Sequence, residues 1–211
     1  TETNKTGWDT VNLLDLQVGG TSKFTVDDAG ALTTALSYTG SGQPKRTIVL
    51  TAAGAIVAPS AGNADQKRVD GTNFSYYVLD YDQSTDEKAF WHFVVPDSLA
   101  ASTNLTVTVF WTAGAGTAAQ LVDWDVSTNG LANDDVFDAA LDGGTPDVTV
   151  NDALIATGDL HESPAGTITA ANAGWAAGEF AVVKVNRDAD DATNDTLAAD
   201  ARLVMVKIEW I

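Results

Sequence analysis

The chain predicts an all-β fold, a two-sheet antiparallel β-sandwich of jelly-roll type. Three observations carry that expectation. Most segments alternate apolar and polar residues with period 2, as in "NLTVTVFWT", where Leu105, Val107, Val109 and Trp111 point one way and Thr106, Thr108, Phe110 and Thr112 the other. Clusters of Gly, Ser, Asn, Asp and Pro such as "TGSGQP", "APSAGNAD", "STNGLANDD" and "LDGGTPD" punctuate those runs at unequal intervals. Helical patterning is almost absent. About eight to ten strands with loops of unequal length favour a sandwich over a regular up-and-down barrel.

Taken in order, the strand candidates are residues 22–26, 46–52, 74–81, 88–95, 104–112, 119–126, 166–170, 179–186 and 202–211. In the last run, Val204, Val206, Ile208 and Trp210 form one face and Leu203, Met205, Lys207 and Glu209 the other. Residues 179–186 read as its hairpin partner across an Asp-rich turn. The best helical turn is "ANDDVFDAALD", with Asn133 as its cap. Residues 1–45 are less regular, since the apolar positions 11, 13, 14, 16 and 18 fit neither period. They read as an N-terminal arm, packing against a neighbouring subunit, or as first strands of the same domain. Residues 46–211 form the jelly-roll domain, with a single domain overall.

Composition narrows the function. The 211 residues are 45% hydrophobic, enough to bury a core, and no apolar run nears the ~18 residues of a bilayer span. The N-terminus lacks the basic-then-apolar pattern of a secretory signal. Without cysteine there are no disulfides, thiolate nucleophiles or zinc-thiolate sites. The formal charge of −18 repels phosphate, because nucleic-acid affinity comes largely from Lys and Arg displacing counterions. No nucleic-acid partner and no membrane are expected. Of 29 acidic residues only five are Glu, and the short Asp side chain suits turns and Asx motifs.

Catalytic patterns are missing. A glycosidase needs two carboxylates about 5–10 Å apart, one of them in an apolar setting; the Glu residues are scattered, and Asp123 and Asp125 in "VDWDV" read as the solvated face of an outer strand. A hydrolytic triad needs His beside an activated Ser, yet there is no G-x-S-x-G motif. His92 reads as a packing residue. His161 joins a two-histidine metal site only if the fold brings it to His92. The chain is therefore expected not to be an enzyme.

Two binding features remain. The stretch "NRDADDATNDTLAAD" fails as an EF-hand, because from Asp188 the fifth and twelfth positions are Ala192 and Ala199. A looser calcium site of Asp188, Asp190 and Asp195 stays open beside the plainer reading of a solvated hairpin connection; no other cofactor is expected. Among the six Trp, Trp8, Trp91 and Trp175 are the candidates for subunit-interface packing or for stacking on sugar rings, whereas Trp111 and Trp210 share faces with aliphatic residues.

Three stretches, "AFWHFVVPDSL" (89–99), "LTVTVFWTAGAG" (105–116) and "GWAAGEFAVVKVNRDADDATNDTLAADARLVMVKIEW" (174–210), resemble a family of jelly-roll virion structural proteins of tailed bacteriophages and related environmental viruses. The most specific part is a strand ending in Arg-Asp, an Asp-rich turn, the run Asp-Thr-Leu-Ala-x-Asp-Ala-Arg and a final strand. The resemblance covers residues 74–211, more weakly "TIVLTAAGAIVAPS" at 47–60, and hardly the arm. It implies a non-enzymatic virion component, made in the host cytoplasm and carried on the particle as a capsid decoration, head fibre or tail protein. Its implied partners are itself, as a homotrimer, and other virion proteins such as the major capsid protein or tail proteins. Binding of host-surface glycans through exposed aromatics is the alternative, and the two can coexist.

Overall fold

The computed structural model describes residues 12–27, 32–34, 45–57, 60–100, 102–141 and 145–211. Trp8 lies outside them. The chain divides into two compact units, Thr1–Pro44 and Lys45–Ile211. In the first, β1 (Asn12–Val18), β2 (Thr21–Asp27) and β3 (Leu32–Thr34) form an antiparallel sheet in that order. The β1–β2 turn is Gly19-Gly20, both at positive φ, which glycine adopts without steric cost. Two register shifts in the β1–β2 pairing explain why no single period fitted residues 11–18.

The second unit is a sandwich of antiparallel strands, as its alternation predicts. Its strands are β4 (Arg46–Thr51), β5 (Asp65–Asp70), β6 (Ser75–Tyr81), β7 (Glu87–Val94), β8 (Leu105–Ala113), β9 (Leu121–Leu131), β10 (Val148–Ala153), β11 (His161–Glu162), β12 (Gly166–Ile168), β13 (Phe180–Arg187) and β14 (Ala201–Trp210). Sheet I runs β10-β9-β13-β7, and sheet II runs β11-β8-β14-β6-β5, with β12 on β8 and β4 on β14. Successive strands cross between the sheets, β6 to β7 to β8 to β9 and again β12 to β13 to β14. The core lies between, built from Val122, Trp124 and Val126 of β9, Ala181, Val183 and Val185 of β13, Leu105, Val107, Val109 and Trp111 of β8, and Leu203, Val206 and Ile208 of β14. The two sheets are also joined by a buried hydrogen bond from Tyr81 Oη to the Val185 carbonyl, 3.1 Å.

Four expectations are corrected. β13 and β14 are not a hairpin: they sit in different sheets, and the Asp-rich stretch is the crossover between them. β14 does not keep one parity either, because a bulge between Leu203 and Met205 switches the inward set from Ala201 and Leu203 to Val206, Ile208 and Trp210, leaving Val204 only half-buried. No helix forms at residues 132–141. Asp135 instead accepts the Ala132 N–H at 2.8 Å and Asp134 takes φ 73°, the short side chains competing for the backbone. The described α-helix is a single turn, α1 (Ala170–Ala173), capped by the Thr169 hydroxyl and closed by Gly174 at φ 62°. Finally, β5 and β10 were not read from the sequence; "DQKRVD" is almost wholly exposed and so has no apolar period to read.

Candidate functional site

The outer face of sheet I carries both features that point to a ligand. Pairing aligns three strands into rows on that face: Phe90–Lys184–Ser127, His92–Val182–Asn129 and Val94–Phe180–Leu131. Apolar residues on the outer face as well as the inner one mean that this side of the sheet is not simply solvated. The segment following β9 folds toward it. The Phe137 ring lies 5.4 Å from that of Phe180, which is 5.3 Å from His92. The result is a trough of about 350 Å³ bounded by Ile56, Phe90, His92, Asn129, Phe137 and Asp138, among others. Phe137 in its lining is 73% exposed. Sequence reasoning missed this site, because it treated His92 as packing and residues 132–141 as a helix. The available signal was "AFWHFVV", whose even and odd positions are both apolar.

At the other end of β9 the same face is acidic. The crossover from β13 to β14 lies along the start of β9: Asp188 N–H donates to the Asp123 carbonyl at 3.2 Å, and both Thr196 and Leu197 N–H donate to that of Leu121 at 2.9 Å. What fixes its path is Arg187. It continues the inward row Ala181, Val183, Val185 and is fully buried, its guanidinium bidentate on Asp195 at 2.8 Å for both contacts. The same group donates to the carbonyls of Tyr81, Asp82, Leu197 and Ala199 at 2.8–3.2 Å. Asp195 is thereby removed from the expected calcium set, since Arg187 engages both its oxygens.

The crossover brings other carboxylates together. Ligand oxygens of Asp123, Asp188 and Asp191 lie within 4.8 Å of one another, as do those of Asp86, Asp188 and Asp190. Asp188 and Asp190 are thus placed together as expected, but with Asp86 as the third member. Asp123 is not a solvated outer residue: the crossover buries it to 2% exposure. Burial and then the charge on Asp125 push its carboxyl up to about 7, opposed by the Asn151 amide. Burial, a shared hydrogen bond with Asp190 and the charge of Asp86 push Asp188 up to about 6. Asp191 goes the other way, held low by the N–H of Thr193 and the side-chain and backbone N–H groups of Asn194.

The other candidates do not converge. Trp91 and Trp175 are buried, against the expectation of interface or sugar-stacking roles for them. Odd parity on β7 turns Trp91 inward beside Ala89, where its Nε1 donates to the Thr51 carbonyl at 2.9 Å, and Trp175 packs edge-on against Phe93 at 5.2 Å. The histidines fall in different sheets. His161 is buried, stacked on Trp111 at 4.6 Å, with Nε2 accepting the Ile155 N–H at 2.9 Å, whereas His92 is exposed in the trough. Among the described residues Glu162 and Glu209 flank Lys207, at 3.6 and 3.3 Å, and Glu179 Oε2 accepts the Ala176 N–H.

No protein-family model and no curated protein matches the chain. Solved structures overlap it loosely. They include a family 36 carbohydrate-binding domain of a multidomain xylanase from the hindgut metagenome of Trinervitermes trinervoides (11% identity, 77% of this chain and 96% of that one, TM-score 0.43). A family 35 carbohydrate-binding module from Clostridium thermocellum overlaps at 12% identity, 77% and 97% coverage and TM-score 0.43. A family 22 xylan-binding domain from Paenibacillus barcinonensis does so at 9%, 78% and 93%, and 0.43.

Proposed function

We propose that this chain is a non-catalytic recognition module, carried on the surface of a virus particle, that holds a glycan in the trough on sheet I. The trough is the observation that carries the reading. Its volume falls in the range of small-ligand clefts, about 300–1,000 Å³, which are mostly apolar with a few polar groups to fix orientation. Here the exposed Phe137 ring supplies a stacking platform, and His92, Asn129 and Asp138 supply donors and acceptors at its edge. The virion setting is supported by the resemblance of residues 74–211. The residues of that signature are structural: Arg187 and Asp195 pair, Leu197 and Ala199 offer carbonyls to Arg187, and Thr196 Oγ1 accepts the Leu121 N–H at 2.8 Å. The signature therefore speaks for shared architecture, and function has to be read from the trough.

A glycan array probed with the full chain tests this. Binding is expected for the native chain and a loss of about tenfold or more for Phe137→Ala, with the melting temperature held because that ring is mostly in solvent. Silence of the native chain across the array refutes the glycan.

Self-association is a second reading with its own observation. Leu14 and Leu16 of β1 stay exposed, at 43% and 55%, side by side on one face of the three-stranded sheet, and exposed apolar patches mark association sites. We infer a homotrimer built through this sheet; light scattering on the full chain should give three times the chain mass, and a strictly monomeric species at micromolar concentration overturns it.

A further inference from the structure

We propose that Asp123, Asp188 and Asp191 ligate a calcium-class divalent cation, which fastens the β13–β14 crossover onto the first residues of β9. Clustered carboxylates alone would not carry this, because an acidic surface turn is an ordinary solvated feature. The second observation is Asp123. It is 98% buried, its Oδ1 makes no hydrogen bond among the described residues, and it offers an oxygen within 4.8 Å of those of Asp188 and Asp191. A buried anionic oxygen without a donor is costly. The Asn151 amide opposite it on β10 only partly offsets that burial, and the other groups around it, Asp125, Asp188 and Asp191, are carboxylates.

The spacing fits an ion. Oxygens on opposite sides of calcium, each about 2.4 Å from it, lie about 4.8 Å apart. The charge fits as well, since among the described residues Asp123, Asp188 and Asp191 take part in no salt bridge, and the adjacent Arg187 is committed to Asp195 and to carbonyls. Hard oxygen donors and no nitrogen or sulfur ligand select calcium or magnesium over zinc or copper. Three carboxylates from two separated segments suit the looser calcium geometry, with water and backbone oxygens completing the shell. The neighbouring Asp86, Asp188 and Asp190 are more open and include no buried member. Asp123 therefore decides which of the two triads holds the ion.

The site is independent of the glycan reading. It lies six residues along β9 from Asn129, or about 20 Å at strand rise.

The test is calorimetric titration of the full chain with calcium chloride and, separately, magnesium chloride, with melting curves in EDTA and in millimolar calcium. Saturable binding of about one calcium per chain is expected, with a higher melting temperature in calcium than in EDTA. Asp123→Asn, isosteric and able to fold, should weaken calcium at least about tenfold, whereas Asp190→Asn should leave it nearly unchanged. Absence of saturable heat together with coincident melting curves overturns the proposal. So does an Asp123→Asn chain that binds calcium as the native chain does.

Discussion

Replacing Arg187 by Met is expected to be among the most damaging single changes in the sandwich. The guanidinium is fully buried and donates to Asp195, Leu197, Ala199, Tyr81 and Asp82. Met fills much of the same volume, so the loss is one of charge and hydrogen bonding. What remains is a carboxylate whose side chain is 1% exposed, stripped of its counter-charge, beside carbonyls that have lost their donor. Removing one partner of such a pair costs about 3–5 kcal/mol. That is a large part of the ~5–15 kcal/mol by which domains are stable. At roughly 2–4 °C per kcal/mol for a domain of this size, the melting temperature should fall by about 6–20 °C. Urea unfolding followed by the fluorescence of the buried Trp residues measures it. The double variant Arg187→Met with Asp195→Leu should recover a good part of the loss, because the orphaned charge is gone, giving a coupling above ~1 kcal/mol. A single-variant loss below ~1 kcal/mol, or strict additivity, would show that the pair does not hold the crossover.

Two further outcomes follow from the packing. Gly130→Ala should lose about 1–3 kcal/mol in the same urea assay, since a Cβ there would overlap the Gly174 carbonyl, which the α1 cap holds in place; an unchanged midpoint would contradict the close approach of β9 to α1. Tyr81 is fully buried, and burial, then the charge of Glu87, raise its hydroxyl well above the ordinary 10. Its neutral form is the folded form, so its contribution is complete below pH ~10 and is lost as pH climbs from there toward the folded value. Tyr81→Phe should flatten the stability profile above pH 10 while costing about 0.5–1.5 kcal/mol at neutral pH for the lost bond to Val185. Equal alkaline slopes in both chains would sink that account.

Much of the sandwich was legible because each long strand alternates an apolar face that turns into the core with a more polar one. β8 shows it best: Leu105, Val107, Val109 and Trp111 were read as one face, and all four are fully buried. Legibility ended where tertiary pairing overrides local pattern. The β14 bulge shifts parity in the middle of a perfect alternation, and nothing local in "RLVMVKIEW" announces it. Arg187 looked like the start of a wet turn, although it sits on the inward parity of β13, and that parity could have flagged it. The Asp cluster was half legible. Asp188 and Asp190 are neighbours in sequence, but Asp86 and Asp123 reach them from the loop before β7 and from β9, and Asp195 was lost to a partner eight residues away. The trough could not have been assembled from sequence at all, because its rows exist only through the β7–β13–β9 register.

The position of β14 has a consequence for how the chain is made. This strand lies in the middle of sheet II, with β8 along one side and β6 and β4 sharing the other. Until it is threaded into place, β8 and β6 each present a bare row of backbone donors and acceptors, the template on which chains aggregate. On a ribosome, the sandwich therefore stays open until residues 201–210 emerge, and its halves must be kept apart from other nascent chains in the interval. A nonsense change anywhere before Ala201 should send the product to inclusion bodies or to proteolysis, however complete the rest of the core.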